Sequence, residues 1–233
     1  GGGKTTALYR LVREWRALGL SAAAATTTKI AVPGPGEPEL STGQRWDEVR
    51  RAVSVHRGSD LVLGRRMLPG GKVEGIPPEW CDLLLAEGLL DALAVEADGA
   101  ARLPIKAPAP WEPVVPRTTS TFVAVVGLSC VGTPLDDEHA FRPECVAAAT
   151  GLRIGDRIEA DAVTRLLRSP SGLARGLPRG GRAAVLLNQA DGPAQMAAGR
   201  AIADGLLGGE RTYERVVVAA LKGERALCEV WVP

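Results

Sequence analysis

From Thr5 to Leu18, apolar residues return every three or four positions, at Ala7, Leu8, Leu11, Val12, Trp15 and Leu18, with Arg and Glu between them. That spacing predicts an amphipathic helix, and Gly19 is placed to end it. Helical spacing comes back over Trp46 to Val55, Pro78 to Leu90, Pro143 to Thr150, Glu159 to Ser169 and Pro193 to Leu207. Between these lie short apolar runs at Ser21 to Thr27, Asp60 to Gly64, Leu93 to Val95, Thr121 to Leu128 and Arg182 to Asn188. Such runs suit strands buried on both faces. Arg215 to Leu221 and Ala226 to Val232 close the chain as two further strands, the last alternating as an edge strand does.

Other stretches resist regular structure. Pro33, Gly34, Pro35, Gly36 and Pro38 mark a loop, and Pro69-Gly70-Gly71 a turn leading to a short segment around Val73. Prolines at 104, 108, 110, 113 and 116 keep that segment out of any helix or central strand. Strands alternating with helices build βαβ units, so the expected fold class is α/β, a mostly parallel sheet flanked by helices. The 233 residues suit one domain, residues 1–233, with a Pro-rich insertion around 104–144.

Composition narrows the function classes. Aromatics are only 4% while apolar residues reach 45%, which points to a core of small and branched aliphatics. A net charge of +1 supplies no field for nucleic acid or anionic lipid, so neither is an expected partner. Cys81, Cys130, Cys145 and Cys228 lie far apart, with His56 and His139 as the imidazoles. That pattern lacks the close spacing of a zinc site and suits packed thiols in a reducing cytoplasm, the expected location. No apolar run approaches the roughly 20 residues that span a bilayer. No leader pattern is visible, although the chain opens on Gly and a preceding segment would escape this reading.

The chemistry starts at residue 1. Gly1-Gly2-Gly3-Lys4-Thr5-Thr6 supplies the last positions of the P-loop consensus G-x-x-x-x-G-K-S/T. The consensus needs glycines because successive main-chain N–H groups must turn inward to phosphate oxygens. Lys4 would neutralise the β- and γ-phosphates, the Thr5 hydroxyl would ligate Mg²⁺, and the helix that follows would aim its positive end at the same anion. The first Gly of the consensus and the strand that leads into such a loop fall before Gly1, so a P-loop NTPase sheet would here lack its first strand. A flexible Gly-rich tail would look the same without the amphipathic helix beginning at Thr5.

Val95-Glu96-Ala97-Asp98-Gly99 ends an apolar strand in two acids. Ligands bind at that edge of an open parallel sheet, and a carboxylate there can hold Mg²⁺ directly or through water. Glu96 and Asp98 alternate along the strand, so either or both fit the metal role, as does a strand simply ending in polar turn residues. Thr28 and Lys29, in the run Thr26-Thr27-Thr28-Lys29, suit a segment reaching the γ-phosphate, and the same threonines suit a plain strand. Asn188-Gln189-Ala190-Asp191 resembles the guanine-reading N-K-x-D box, with Asp191 facing the base and Gln189 in place of the Lys. The same residues make an ordinary turn. His139 beside Asp136, Asp137 and Glu138 reads as a surface pair or a base, and Cys130 and Cys145 as packed thiols or ligands.

Taken in order, GGGKTT, TTTKI at 26–30, VEADGA at 95–100, PIKAPAPWEPVVP at 104–116, VVGLSCVGTPLDDEHAFRPE at 125–144 and LNQAD at 187–191 resemble the selenium cofactor biosynthesis protein YqeC family, the selenium-dependent hydroxylase accessory proteins. The resemblance spans nearly the whole chain. It implies a P-loop NTPase that binds Mg²⁺ and GTP or ATP and serves maturation of a molybdenum hydroxylase whose cofactor carries labile selenium. The hydroxylase or its cofactor-processing enzymes are the implied partners. Lys4 and Thr5 match the phosphate and metal positions, Glu96, Asp98 and Gly99 the acidic box, and Lys106 and Glu112 the Pro-rich segment. Where the family often has Ser-Arg after EADG, this chain has Ala100-Ala101-Arg102. A small-molecule kinase or transferase, or an adaptor that binds nucleotide without turnover, would use the same residues.

Overall fold

The computed structural model describes residues 2–56, 58–178, 180–208, 212–223 and 226–232. Its contacts divide the chain into two compact units whose segments interleave in sequence. One holds Lys4–Gly99 and Val114–Thr118, the other Ala100–Pro113 and Thr119–Pro233 with the glycines ahead of Lys4.

The first unit runs α1 (Lys4–Ala17), β1 (Ala22–Thr26), β2 (Lys29–Ala31), β3 (Glu39–Thr42), α2 (Trp46–Val55), β4 (Leu61–Gly64), β5 (Arg66–Leu68), β6 (Lys72–Glu74), α3 (Pro78–Ala86) and β7 (Ala92–Glu96). Strands β3, β4, β1 and β7 form a parallel sheet in that order. Every residue of β1 is buried, because the sheet is covered on both faces. Alternation along the strands sorts the core in two. Ala23, Ala25, Leu61 and Leu63 pack with Val49 and Val53 of α2 and Cys81 and Leu84 of α3. Ala24, Val62 and Ala94 pack with Leu8, Tyr9 and Val12 of α1. Beside this sheet β2, β6 and β5 make a small antiparallel sheet whose three-residue strands carry too little periodicity to be read from sequence.

The buried face of α1 and the end of α3 differ from expectation. The apolar stripe of α1 is offset: Leu11 and Leu18 are exposed, while Tyr9 takes a core place. Helix α3 ends at Ala86 rather than Leu90, because Gly88 turns the chain with φ +65° and Leu90 then drops into the core.

The second unit runs β8 (Ile105–Lys106), β9 (Thr121–Gly127), β10 (Ala140–Phe141), α4 (Pro143–Thr150), α5 (Ala160–Arg168), β11 (Arg182–Asn188), α6 (Pro193–Leu207), β12 (Arg215–Ala219) and β13 (Leu227–Trp231). Strands β9, β11 and β12 pair in parallel, and β13 closes the sheet antiparallel to β12. The sheet's buried Val126, Val185, Leu187, Val216 and Val218 share one core with Val163, Leu166 and Leu167 of α5 and Ile202 of α6. The Pro-rich segment contributes β8, which pairs only over Ile105 and Lys106 with β10. The chain is therefore a mixed α/β protein with helix-flanked parallel sheets. Among the described residues no helix is long and apolar enough to cross a membrane.

Candidate active site

In the first unit, Lys4 and Thr5 open α1, and β7 ends in Glu96 with Asp98 two residues on. Parallel pairing of β1 and β7 brings Thr26 opposite Glu96, so the threonine run and the acids share one edge of the sheet. The Lys4 ammonium lies 3.1 Å from an Asp98 carboxylate oxygen. The Thr5 hydroxyl donates a 2.6 Å hydrogen bond to Glu96, which is buried. Two residues adjacent at a helix start thus meet two acids 91 positions further along in the case of Thr5 and Glu96.

The threonines brace this edge. Thr26 Oγ1 donates to the Glu96 carbonyl at 3.1 Å and accepts from the Thr28 N–H at 3.1 Å. Thr27 donates to the Val114 carbonyl at 2.6 Å, while Val114 N–H donates to the Ala97 carbonyl at 3.0 Å, tying the segment around Val114 to the acidic turn. Thr28 is half-buried and Lys29 is exposed on β2. The Lys29 carbonyl lies where a Cβ on Gly99 would meet it at 3.4 Å, so its main chain runs beside the acidic turn. Thr6 is half-buried in the first turn of α1.

The glycines preceding Lys4 belong to the second unit, and Gly1 lies outside the described residues. Gly3 has φ +99°, and a Cβ there would sit 2.1 Å from Asn188 Nδ2. A Cβ on Gly2 would come within 2.9 Å of the Pro104 carbonyl oxygen. Only glycine fits both places. Asn188 is buried, donates to the Gly2 carbonyl at 3.1 Å and accepts from the Leu221 N–H at 3.0 Å. Both polar atoms of its side-chain amide thus hold main chain. Asp191 is exposed in the loop after β11. Gln189 stands at φ +66° and accepts from the Ser129 hydroxyl at 2.8 Å.

Other candidates form local arrangements. His139 Nδ1 lies 2.6 Å from Asp136, and that bond, with main-chain N–H groups of Glu138 and His139, holds the Asp136 carboxyl below its ordinary range. Cys130 is buried, and burial pushes its thiol up to about 12, which suits packing rather than metal ligation. No cluster of three or more His, Cys, Asp or Glu groups that could cage a metal occurs among the described residues.

The residues present do fit a cation shared with phosphate. Mg²⁺ takes oxygen ligands, commonly one or two carboxylates with substrate phosphates, so an all-protein cage is not needed. Thr5, Glu96 and Asp98 are oxygen donors of that kind, and one lysine against two carboxylates leaves the group net negative.

This is the architecture of an α/β protein that gathers a helix-start lysine and hydroxyl at an acidic strand end. A family model described as YqeC protein matches residues 1–144, and the chain belongs to the YqeC family. It is 28% identical over 188 residues to the Uncharacterized protein YqeC of Escherichia coli (strain K12), covering 81% of this chain and 73% of that protein.

Proposed function

We propose that this protein binds a nucleoside triphosphate with Mg²⁺ as a P-loop NTPase, through Lys4, Thr5, Glu96 and Asp98. The observation that carries the reading is the pair of bonds from adjacent helix-start residues, Lys4 to Asp98 and Thr5 to Glu96. Lys4 would exchange its carboxylate partner for β- and γ-phosphate oxygens, and the α1 N–H groups would face the same anion. Thr5 would turn its hydroxyl lone pair to the metal, with Glu96 accepting its proton side and Asp98 exchanging Lys4 for a metal-bound water. When bound, Mg²⁺ supplies charge neutralisation to the transferring phosphoryl group. Thr28 is assigned to the attacking water and Lys29 to the γ-phosphate. The similarity of the motifs to selenium cofactor biosynthesis proteins supports a role for this turnover in maturing a molybdenum hydroxylase cofactor, with the hydroxylase or its processing enzymes as partners.

Calorimetric titration of the full chain with Mg·GTP and Mg·ATP tests the site. Lys4→Ala is expected to weaken the bound nucleotide by at least about tenfold, the loss of one charge-assisted phosphate contact. Unchanged affinity would refute the assignment.

A further inference from the structure

The second unit holds a turn that its packing does not explain. Prolines 108, 110 and 113 stiffen residues 108–113, and the Glu112 N–H donates to the Ala109 carbonyl at 2.9 Å. One Glu112 carboxylate oxygen accepts from Lys106 at 2.7 Å, from Arg142 at 2.6 Å and from the Ala109 N–H at 3.2 Å. Arg175 donates to the Pro110 carbonyl at 2.7 Å. The main chain on both sides of Trp111 is therefore pinned, yet the Trp111 side chain is 71% exposed. A turn held this way would stand with any residue at 111, so the network accounts for the backbone and not for the indole.

Arg142 adds two observations. It sits at φ 58°, ψ 65°, a left-handed conformation uncommon for a residue with a Cβ. Its guanidinium lies 5.8 Å from the Trp111 ring centroid and 4.6 Å from that of Phe141. Lys106, buried at 3% exposure, shares the single charge of Glu112 with Arg142. Two cations, Lys106 and Arg142, thus share one engaged carboxylate, while Arg175 holds the Pro110 carbonyl.

We propose that Trp111 and Arg142 form a binding site for a planar aromatic anion, a heteroaromatic ring carrying a phosphate or carboxylate. The ring would stack on the open face of Trp111 while its anionic group takes the guanidinium of Arg142, with Lys106 buried behind to keep Glu112 from cancelling that charge. A rigid turn lowers the ordering cost of binding, which is the use of pinning an exposed indole.

The probe is flavin mononucleotide, titrated into the full chain and followed by flavin fluorescence and calorimetry, with riboflavin and inorganic phosphate as separate arms. Flavin mononucleotide is expected to bind with quenching, and riboflavin to bind at least about tenfold more weakly for want of the phosphate. Trp111→Ala, which removes an exposed side chain and should leave the circular dichroism spectrum unchanged, is expected to weaken flavin mononucleotide at least about tenfold, with Trp111→Phe between. Arg142→Ala should bring flavin mononucleotide down to the riboflavin level. Lys4→Ala should leave this binding unaltered, so the result is read independently of the nucleotide site. The proposal is overturned by no flavin mononucleotide binding, as a protein-docking tryptophan would give, by equal binding of riboflavin, or by loss on Lys4→Ala. Full affinity in Trp111→Ala overturns it as well.

Discussion

Tyr9 carries a hydroxyl that is buried and has no hydrogen-bond partner among the described residues. Burial, then the nearby Glu37 and Glu96 carboxylates, push its ionisation well above the ordinary tyrosine range, so it stays a neutral donor. It lies one helical turn beyond Thr5, on the side of α1 that faces the acidic strand end. A desolvated, unpaired hydroxyl destabilises a fold, whereas the ring packs with Leu8, Val12 and Ala94. Tyr9→Phe keeps that packing and is expected to raise stability by about 1 kcal/mol, read as a higher urea midpoint at unchanged slope. A lower midpoint would mean that the hydroxyl has a partner in solution. Nothing in the spacing of α1 could have singled it out, because the stripe there was read through Leu11, and helix rotation was decided by what the sheet below could accept.

At the level of elements, the Lys106–Glu112–Arg142 turn predicts an acid response. Burial raises the Glu112 carboxyl, but the hydrogen bonds from Lys106 and Arg142 outweigh it and hold the group below its ordinary value. A carboxyl lowered in the folded state contributes stability above its unfolded pKa, about 4.3, and loses it as pH falls through the lowered folded value. Glu112→Gln is expected to cost about 3 kcal/mol at neutral pH, since it breaks a largely buried pair. Urea midpoints of the two proteins should stay equally separated from pH 7 to 5 and converge towards pH 3; parallel curves down to pH 3 would exclude this carboxylate as the source. The helices α2, α4 and α6 were legible to the residue, because Pro143 and Pro193 fit first-turn positions and the apolar spacing is regular. The strands β1, β7, β9 and β11 were legible as short apolar runs. Strands β2, β5 and β6 were not, since three residues each cannot display a period.

For the whole molecule, ligand binding should appear as stability. Under the proposed function, Mg·GTP at one hundred times its dissociation constant adds about 2.7 kcal/mol, or about 5–10 °C in Tm for a chain of this size. Lys4→Ala is expected to abolish the shift. By itself the sequence determined the helices and longer strands, the α/β class and the residue types able to meet phosphate and metal, because periodicity and side-chain chemistry are local properties. Tertiary structure decided which of them meet. Parallel pairing of β1 with β7 and the seating of α1 set Thr5 against Glu96 and Lys4 against Asp98. Burial turned Asn188 inward to hold Gly2, and left Trp111 outside. Contacts between residues so distant in the chain depend on how sheets and helices pack, and no local pattern encodes that.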